Sequence, residues 1–390
     1  MNQMRCALFS VLLIFLFSCK EDDSINESVS TQLFNFERTY GGLEEDIAHS
    51  ILIKGDFVYV YGTSKSFDDI NGDHYLIKLD VEGNIVFEKT YGESFAEEGI
   101  KIVELKDGNL MLLGTKIVNG FKDINILKID VDGNLLWEQT YGGDLDDSPA
   151  MLVETSNSEF CIAGTTESYG AGARDIYLLW IDQNGNLIRQ DFHGGIDLDG
   201  SSDLMLLENN ELMLFGYTKN YGATSRDFYL LRMSASGDSI WSKRYGGVGY
   251  EESHEFSRTA EGGFLLSGHS SSMDPEHNMY GIKLDSIGNQ IWEKNFGGSR
   301  HDGGESLLID DNGNYVFVGR SMSFGNGSRN VFFTVTKANG TLVSETFYNG
   351  ENEDIAYDIA ESKDYYYIVG QTNSFNDRRD TDVYLVRHQK

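Results

Sequence analysis

Apolar residues in this chain fall in short runs, and the runs come in fours. In the first set they span Ile47–Lys54, Phe57–Thr63, His74–Asp80 and Asn84–Tyr91. Val, Ile, Tyr and Phe dominate them, and a period of two shows in Tyr75-Ile77-Leu79 and in Ile85-Phe87. That period, with β-branched and aromatic residues, predicts strands. Gly83-Asn84, Gly133-Asn134, Gly185-Asn186 and Gly288-Asn289 divide the third run from the fourth, where glycine supplies the positive φ of a tight hairpin. Asp107-Gly108, Gly262-Gly263 and Asn312-Gly313 divide the first run from the second. Beyond the N-terminal segment no run has a helical period.

Each fourth run ends in a marker: Gly41-Gly42, Gly92-Glu93, Gly142-Gly143, Gly194-Gly195, Gly246-Gly247, Gly297-Gly298 and Asn349-Gly350, at intervals of 50 to 52 residues. The stretch Asp130–Asp147, DVDGNLLWEQTYGGDLDD, holds turn, fourth strand, glycines and acidic end in one piece. Four antiparallel strands repeated in tandem predict an all-β fold, a β-propeller, whose radial arrangement protects the sheet edges. The first three strands occur seven times, and the last copy ends at Val383–Arg387 with no fourth strand behind it. A lone fourth strand, Leu33–Tyr40, instead opens the array. The expectation is a seven-bladed β-propeller of four-stranded antiparallel blades over residues 33–390, its ring closed by the N-terminal strand.

Residues 1–18 read as an export signal, with Arg5 as its positive charge and Ala7–Phe17 as an apolar run too short to span a bilayer. Leu16-Phe17-Ser18-Cys19 resembles the lipobox of bacterial lipoproteins. The resemblance implies that Cys19 is acylated, becomes the mature N-terminus and anchors the body to a membrane. Lys20-Glu21-Asp22-Asp23 resembles the acidic export signal of Bacteroidota lipoproteins, which implies the outer face of the outer membrane; a periplasm-facing anchor is the alternative. The polar residues after Cys19, up to residue 32, read as a disordered tether.

Charge and cysteine count narrow the partners. A net charge of -31 argues against nucleic acid, which needs clustered Lys and Arg. Three cysteines leave no disulfide: Cys6 departs with the signal, Cys19 carries lipid, and Cys161, between Phe160 and Ile162, reads as a buried inert thiol. A monomer is expected.

The repeat resembles those of exported bacterial propeller-repeat proteins over residues 33–388. Its Asp-x-x-Gly-Asn-x-x-Trp segment is also similar to the tryptophan-docking segment of quinoprotein-type propellers, whose period and Ala-x-Asp opening are not matched. No adjacent cysteine pair or metal constellation carries a quinone site over. Kelch repeats have a similar length and a double glycine, but there the glycines precede the aromatic residues.

An acid stands four residues after the second marker position in every unit: Asp46, Glu97, Asp147, Asp199, Glu251, Asp302 and Asp354. Sevenfold repetition favours a structural carboxylate that holds loop N–H groups over an acidic ring for a cation. Tyr40, Tyr91, Tyr141, His193, Tyr245, Phe296 and Tyr348, before the markers, read as inter-blade packing. Positions where the copies disagree are better candidates for binding. After the glycine ending the second strand come Thr63, Thr115 and Thr165, then Tyr217, His269, Arg320 and Gln371. These last four, with His254, form the candidate ligand rim on the predicted loop edge. Four of the eight histidines, His254, His269, His277 and His301, fall close together in sequence, with Asp274 and Glu276 in the same loop region. No tight His-x-x-x-His spacing or catalytic motif appears, so no metal, cofactor or catalytic residue is assigned. The expected function is non-enzymatic: an envelope lipoprotein whose rim binds a protein or glycan. The alternatives are a carbohydrate-active enzyme using rim carboxylates and a periplasmic assembly scaffold.

Overall fold

Strand β1 (Phe36–Tyr40) lies antiparallel to β28 (Asp382–Gln389), with Phe36 opposite Arg387 and Tyr40 opposite Val383. This pairing of the two ends of the chain closes the ring. The computed structural model describes residues 35–390 apart from 68–69, 94, 273–275, 326, 349 and 376–379. The export signal, Cys19, the acidic tether, Leu33-Phe34, Asp274 and Asn349 lie outside the described residues.

Among the described residues twenty-eight strands, β1 to β28 in chain order, build seven four-stranded antiparallel sheets. Six sheets use four consecutive strands, and the seventh runs β1-β28-β27-β26. The protein is an all-β, seven-bladed β-propeller. The innermost strands are β2 (Asp46–Lys54), β6 (Glu97–Glu104), β10 (Asp147–Glu154), β14 (Asp199–Leu206), β18 (Glu251–Arg258), β22 (Asp302–Ile309) and β26 (Asp354–Glu361). Second and third strands such as β3 (Phe57–Ser64) and β4 (Asp73–Asp80) are almost wholly buried, while fourth strands such as β5 (Ile85–Tyr91) are largely exposed.

The core lies between blades, not within them. Val60, Ile77 and Leu79 of blade one pack with Tyr367, Val369 and Leu385 of blade seven. Tyr59, Tyr61 and Leu76 pack with Leu112 and Leu127 of blade two. Each such aliphatic side chain contributes about 1.5–3 kcal/mol when its neighbour blade covers it. A single blade would leave this surface wet, so the blades stand or fall together.

Polar seams join neighbours as well. Asp46, with no exposed surface, accepts from Gly42 N–H at 2.6 Å and from the Ser66 hydroxyl at 2.7 Å. Asp147, Asp302 and Asp354 accept in the same way from Gly143, Gly298 and Gly350, and from Ser168, Ser323 and Ser374. Asp199 takes its side-chain partner from Asn220 at 2.7 Å. The seven acids are the first residues of the inner strands and are 0–1 % exposed. At the other rim, Tyr40, Tyr91 and Tyr245 each donate to the carbonyl of a turn glycine in the next blade, Gly83, Gly133 and Gly288, at 2.7–2.8 Å.

One glycine in the second strand makes close approach possible. A Cβ on Gly62 would sit 2.0 Å from the Ile47 carbonyl oxygen, so the strand crosses β2 there without room for any side chain. Cys161 is buried, and burial pushes its thiol pKa well up, which keeps it protonated.

Candidate functional site

Every inner strand carries a register irregularity just past its acid. In six blades one residue is left without a partner in the second strand: His49, Ile100, Ala150, Ser202, Glu305 and Tyr357. In blade five the irregularity takes in both His254 and Glu255. A bulge re-aims a side chain out of the ladder. Here the re-aimed residues converge on one cavity of about 430 Å³ in the channel, and all seven inner strands contribute to its lining. The first bulge residue lies three positions after the repeated acid in all seven copies, and the seven positions carry six residue types, histidine alone recurring, as His49 and His254.

The residues one step deeper form the floor. Lys101 of blade two lies 3.1 Å from Asp358 of blade seven and 3.6 Å from Glu255 of blade five. Asp358 also accepts from the Ser50 hydroxyl at 2.8 Å and the Ser306 hydroxyl at 3.1 Å. Glu255 accepts from Ser306 and from the Leu307 N–H, the latter at 3.2 Å. Asp203 takes the N–H groups of Leu204 at 2.7 Å and Phe256 at 3.2 Å. One lysine thus faces three carboxylates. Burial and the nearby Glu255 push the Asp203 carboxyl up to about 8, against the pull of Lys101. Burial also raises Glu255. Burial alone would lower Lys101, but Asp358, Glu255 and Asp203 outweigh it and hold the ammonium charged.

The walls mix donors, acceptors and apolar surface. His49 Nδ1 is 2.8 Å from the Gly99 carbonyl, its ring tilts against Tyr357 at 5.1 Å, and burial lowers its pKa. Burial raises the Tyr357 phenol to about 12, so it stays a neutral donor. Ile100, Pro149, Ala150 and Met151 make an apolar side. A second hollow of about 320 Å³, lined by Lys122, Thr165, Glu167, Arg174 and Tyr217, shares Pro149 and Ser201 with the first.

The rim residues expected from sequence lie one layer further back. Tyr217, His269, Arg320 and Gln371 are the penultimate residues of β15 (Leu212–Thr218), β19 (Phe264–Ser270), β23 (Tyr315–Ser321) and β27 (Tyr365–Thr372), inside the second strands and not on a loop edge. The strand continues two residues past the glycine expected to end it, because Thr218, Ser270, Ser321 and Thr372 still pair with Asp199, Glu251, Asp302 and Asp354. Three of the four hold a residue of the inner strand. Arg320 pairs with Glu305, Gln371 accepts from the Tyr357 hydroxyl at 3.0 Å, and His269 Nε2 is 3.1 Å from Glu252. Tyr217 instead carries the Arg226 guanidinium 4.6 Å over its ring and walls the second hollow. The threonines of the early blades are backbone staples: Thr63 and Thr165 accept from Gly99 and Ser201 N–H, both at 3.1 Å.

The four histidines come together at the mouth. His254 and His269 have ring centroids 5.5 Å apart, His269 and His277 5.7 Å, and His277 and His301 stack at 4.7 Å with planes 1° apart. His254 Nδ1 is 3.3 Å from Glu305. The hydrogen bond with His269, working against burial, holds Glu252 down at about 2. Among the described residues no group of three or more His, Cys, Asp or Glu is placed to hold a metal ion.

No family model and no curated protein matches this sequence. Solved structures match at the level of fold. Hydrazine synthase of Kuenenia stuttgartiensis is similar over 88 % of this chain and 97 % of that chain, with a TM-score of 0.57 and 10 % identity. The Pan2 WD40 domain of Neurospora crassa is similar over 90 % and 95 %, with a TM-score of 0.52 and 10 % identity. An alpha-L-arabinofuranosidase of Fusarium graminearum is similar over 90 % and 98 %, with a TM-score of 0.50 and 10 % identity. At such identity these likenesses show the propeller fold alone.

Proposed function

We propose that this protein is a binding module of the cell envelope, anchored to the outer membrane through Cys19, that takes a glycan into the pocket on its histidine-bearing rim. One observation carries the reading. Seven bulge sites, alike in place and carrying six residue types, converge on a cavity of about 430 Å³. Such a cavity is at the small end of ligand sites, about enough for one or two sugar rings. Ser202, His49, His254 and Tyr357 suit hydroxyl groups, while Ile100, Pro149 and Met151 suit the apolar face of a ring. The adjoining hollow beside Tyr217 gives the chain of an oligosaccharide somewhere to run.

An enzymatic reading has less support. Glu98, Asp203, Glu255 and Glu305 line the pocket, but Glu305 is engaged by Arg320 and His254, Glu98 by Lys122 at 2.6 Å, Glu255 by Lys101 and Ser306, and Asp203 by the N–H groups of Leu204 and Phe256. Carboxylates so occupied are poorly placed for proton transfer to a glycoside.

The test is a glycan screen on the chain from Lys20 onward, beside an Ala150→Trp variant that fills the pocket without touching an ion pair. Binding is expected to fall at least about tenfold in the variant, a loss of about 1.4 kcal/mol. Binding of equal strength in both proteins would remove the pocket from the account. Protease shaving of intact cells tests the location, with cleavage expected at the surface.

A further inference from the structure

We propose that the blade-five side of this mouth, centred on His277 and His301, is an oxyanion site that takes up protons as it fills, so that the ligand is an acidic glycan bearing carboxylate or sulfate groups, held more tightly in mildly acidic medium. The proposal rests on the pocket reading and names its ligand class.

The argument starts from charge. In a chain of net charge -31, this sector gathers Arg226, Arg320, Arg329 and four imidazoles. Three of the carboxylates within it have partners. Glu252 is met by His269 at 3.1 Å and by the Tyr250 hydroxyl at 3.0 Å. Glu305 is met by Arg320 and His254, and Glu353 by Arg329 at 3.7 Å. Arg226 donates to the Tyr250 hydroxyl at 2.9 Å.

His277 and His301 are the pair that a bound anion would allow to charge. Their parallel rings stack at 4.7 Å, an arrangement suited to neutral imidazoles and opposed by two positive charges. Facing His277 are His269, Glu252, Glu276 and Arg320, with the Tyr250 ring at 5.9 Å; facing His301 are His277, His269, Arg320 and Arg329. Burial, then the neighbouring histidines, holds both pKa values below the ordinary imidazole value. Both are therefore neutral near pH 7, and charging them calls for a counterion.

The nitrogen inventory supplies the second observation. His269 is only 4 % exposed, and its Nδ1 is buried without a hydrogen-bond partner. Nε2 of His254 and Nδ1 of His277 are buried and unpartnered too. When protonated, these are N–H donors in one cluster of rings, of which His254 lines the pocket. A carboxylate or sulfate oxygen satisfies donors and charge together. By linkage, an anion that prefers the protonated site must raise its proton affinity, so binding is accompanied by proton uptake.

Isothermal titration of the chain from Lys20 onward with inorganic sulfate, trigalacturonate and uncharged maltotriose tests this. It would be run at about pH 5.5 and about pH 7.5, in buffers of different ionisation heat. At least one oxyanion probe should bind about tenfold more tightly at the lower pH, with net uptake of about one proton or more. The sulfate and trigalacturonate arms separate the two sources of negative charge. Maltotriose should show no pH dependence. The double variant His277→Gln, His301→Gln should lose the proton uptake, while His193→Gln in blade three should retain it. A matching melting temperature at the higher pH checks that each variant folds. Oxyanion binding without proton uptake, or uptake that survives the double variant, overturns the proposal. Binding of maltotriose with no oxyanion response at either pH would leave the pocket reading standing and sink this one. Silence from all three probes would count against both.

Discussion

Lys101 of blade two reaches its ammonium to within 3.1 Å of the Asp358 carboxylate of blade seven, and the same group lies 3.6 Å from Glu255 of blade five. Blades that share no sheet are thus tied through the middle of the ring. The inter-blade core binds each blade to its neighbours, but this cluster binds across the ring.

Replacing Lys101 by Met leaves Asp203, Glu255 and Asp358 without their cation. Removing one partner from a buried charge cluster costs about 3–5 kcal/mol. The loss should be larger above pH 8, where Asp203 has given up its proton, than near pH 5, where Asp203 holds it. Urea denaturation at the two pH values checks both size and direction.

Asp203 has its own pH signature. Its folded value of about 8 stands above the ordinary aspartate value of 3.8. A carboxyl raised on folding binds more protons in the native state between those limits. Its contribution therefore weakens as pH rises from about 4 to about 8. Asp203→Asn should flatten that part of the stability profile and unfold at a higher temperature than the parent at about pH 8.5. A parent profile that rises with pH over the interval, unaltered in the variant, would refute the assignment.

Gly62→Ala should be severely destabilising, because the new methyl would meet the Ile47 carbonyl oxygen at 2.0 Å and backbone has to move. A loss above about 3 kcal/mol is expected, against about 1 kcal/mol for an ordinary substitution. Gly108→Ala meets no atom within 4 Å, but its φ of 85° costs backbone strain alone, so the pair separates close contact from conformation.

Deleting residues 33–40 removes β1 and uncovers an edge of β28. The single cooperative melting transition should disappear. Tyr40→Phe keeps the strand and removes only the bond to the Gly83 carbonyl, for a loss of about 0.5–1.5 kcal/mol. An unchanged transition in the deletion would show that closure does not depend on this strand.

The fold was legible because each unit repeats turn chemistry at a fixed spacing. Asp80, Gly83 and Asn84 show why: Gly83 has a φ of 78°, and Asp80 accepts from Asn84 through both backbone and side chain. Few other residues can do that, so the signal survives in every copy that uses it. The pocket was harder to read. His49, Ile100, Ala150, Ser202, His254, Glu305 and Tyr357 share a backbone irregularity that leaves no common residue type. Of these, only His254 stood out, through its neighbouring histidines. The disagreement at the third residue past each acid was the available signal. Tyr217, His269, Arg320 and Gln371 were found by the same reasoning but set one layer too far outward, since pairing of the next residue with the inner strand is a tertiary fact. The convergence of the four histidines likewise depends on blade five meeting blade six.

The pairing of β1 with β28 has a consequence for how the chain comes into being. Strand β1 waits for β28, and until residues 382–389 emerge the growing ring carries raw sheet edges. Contacts between such distant positions form slowly, and open edges invite pairing with other chains. A chain cut short anywhere in its final strand therefore loses the whole ring, not one blade, and should be met by chaperones or proteases as an unclosed, sticky array.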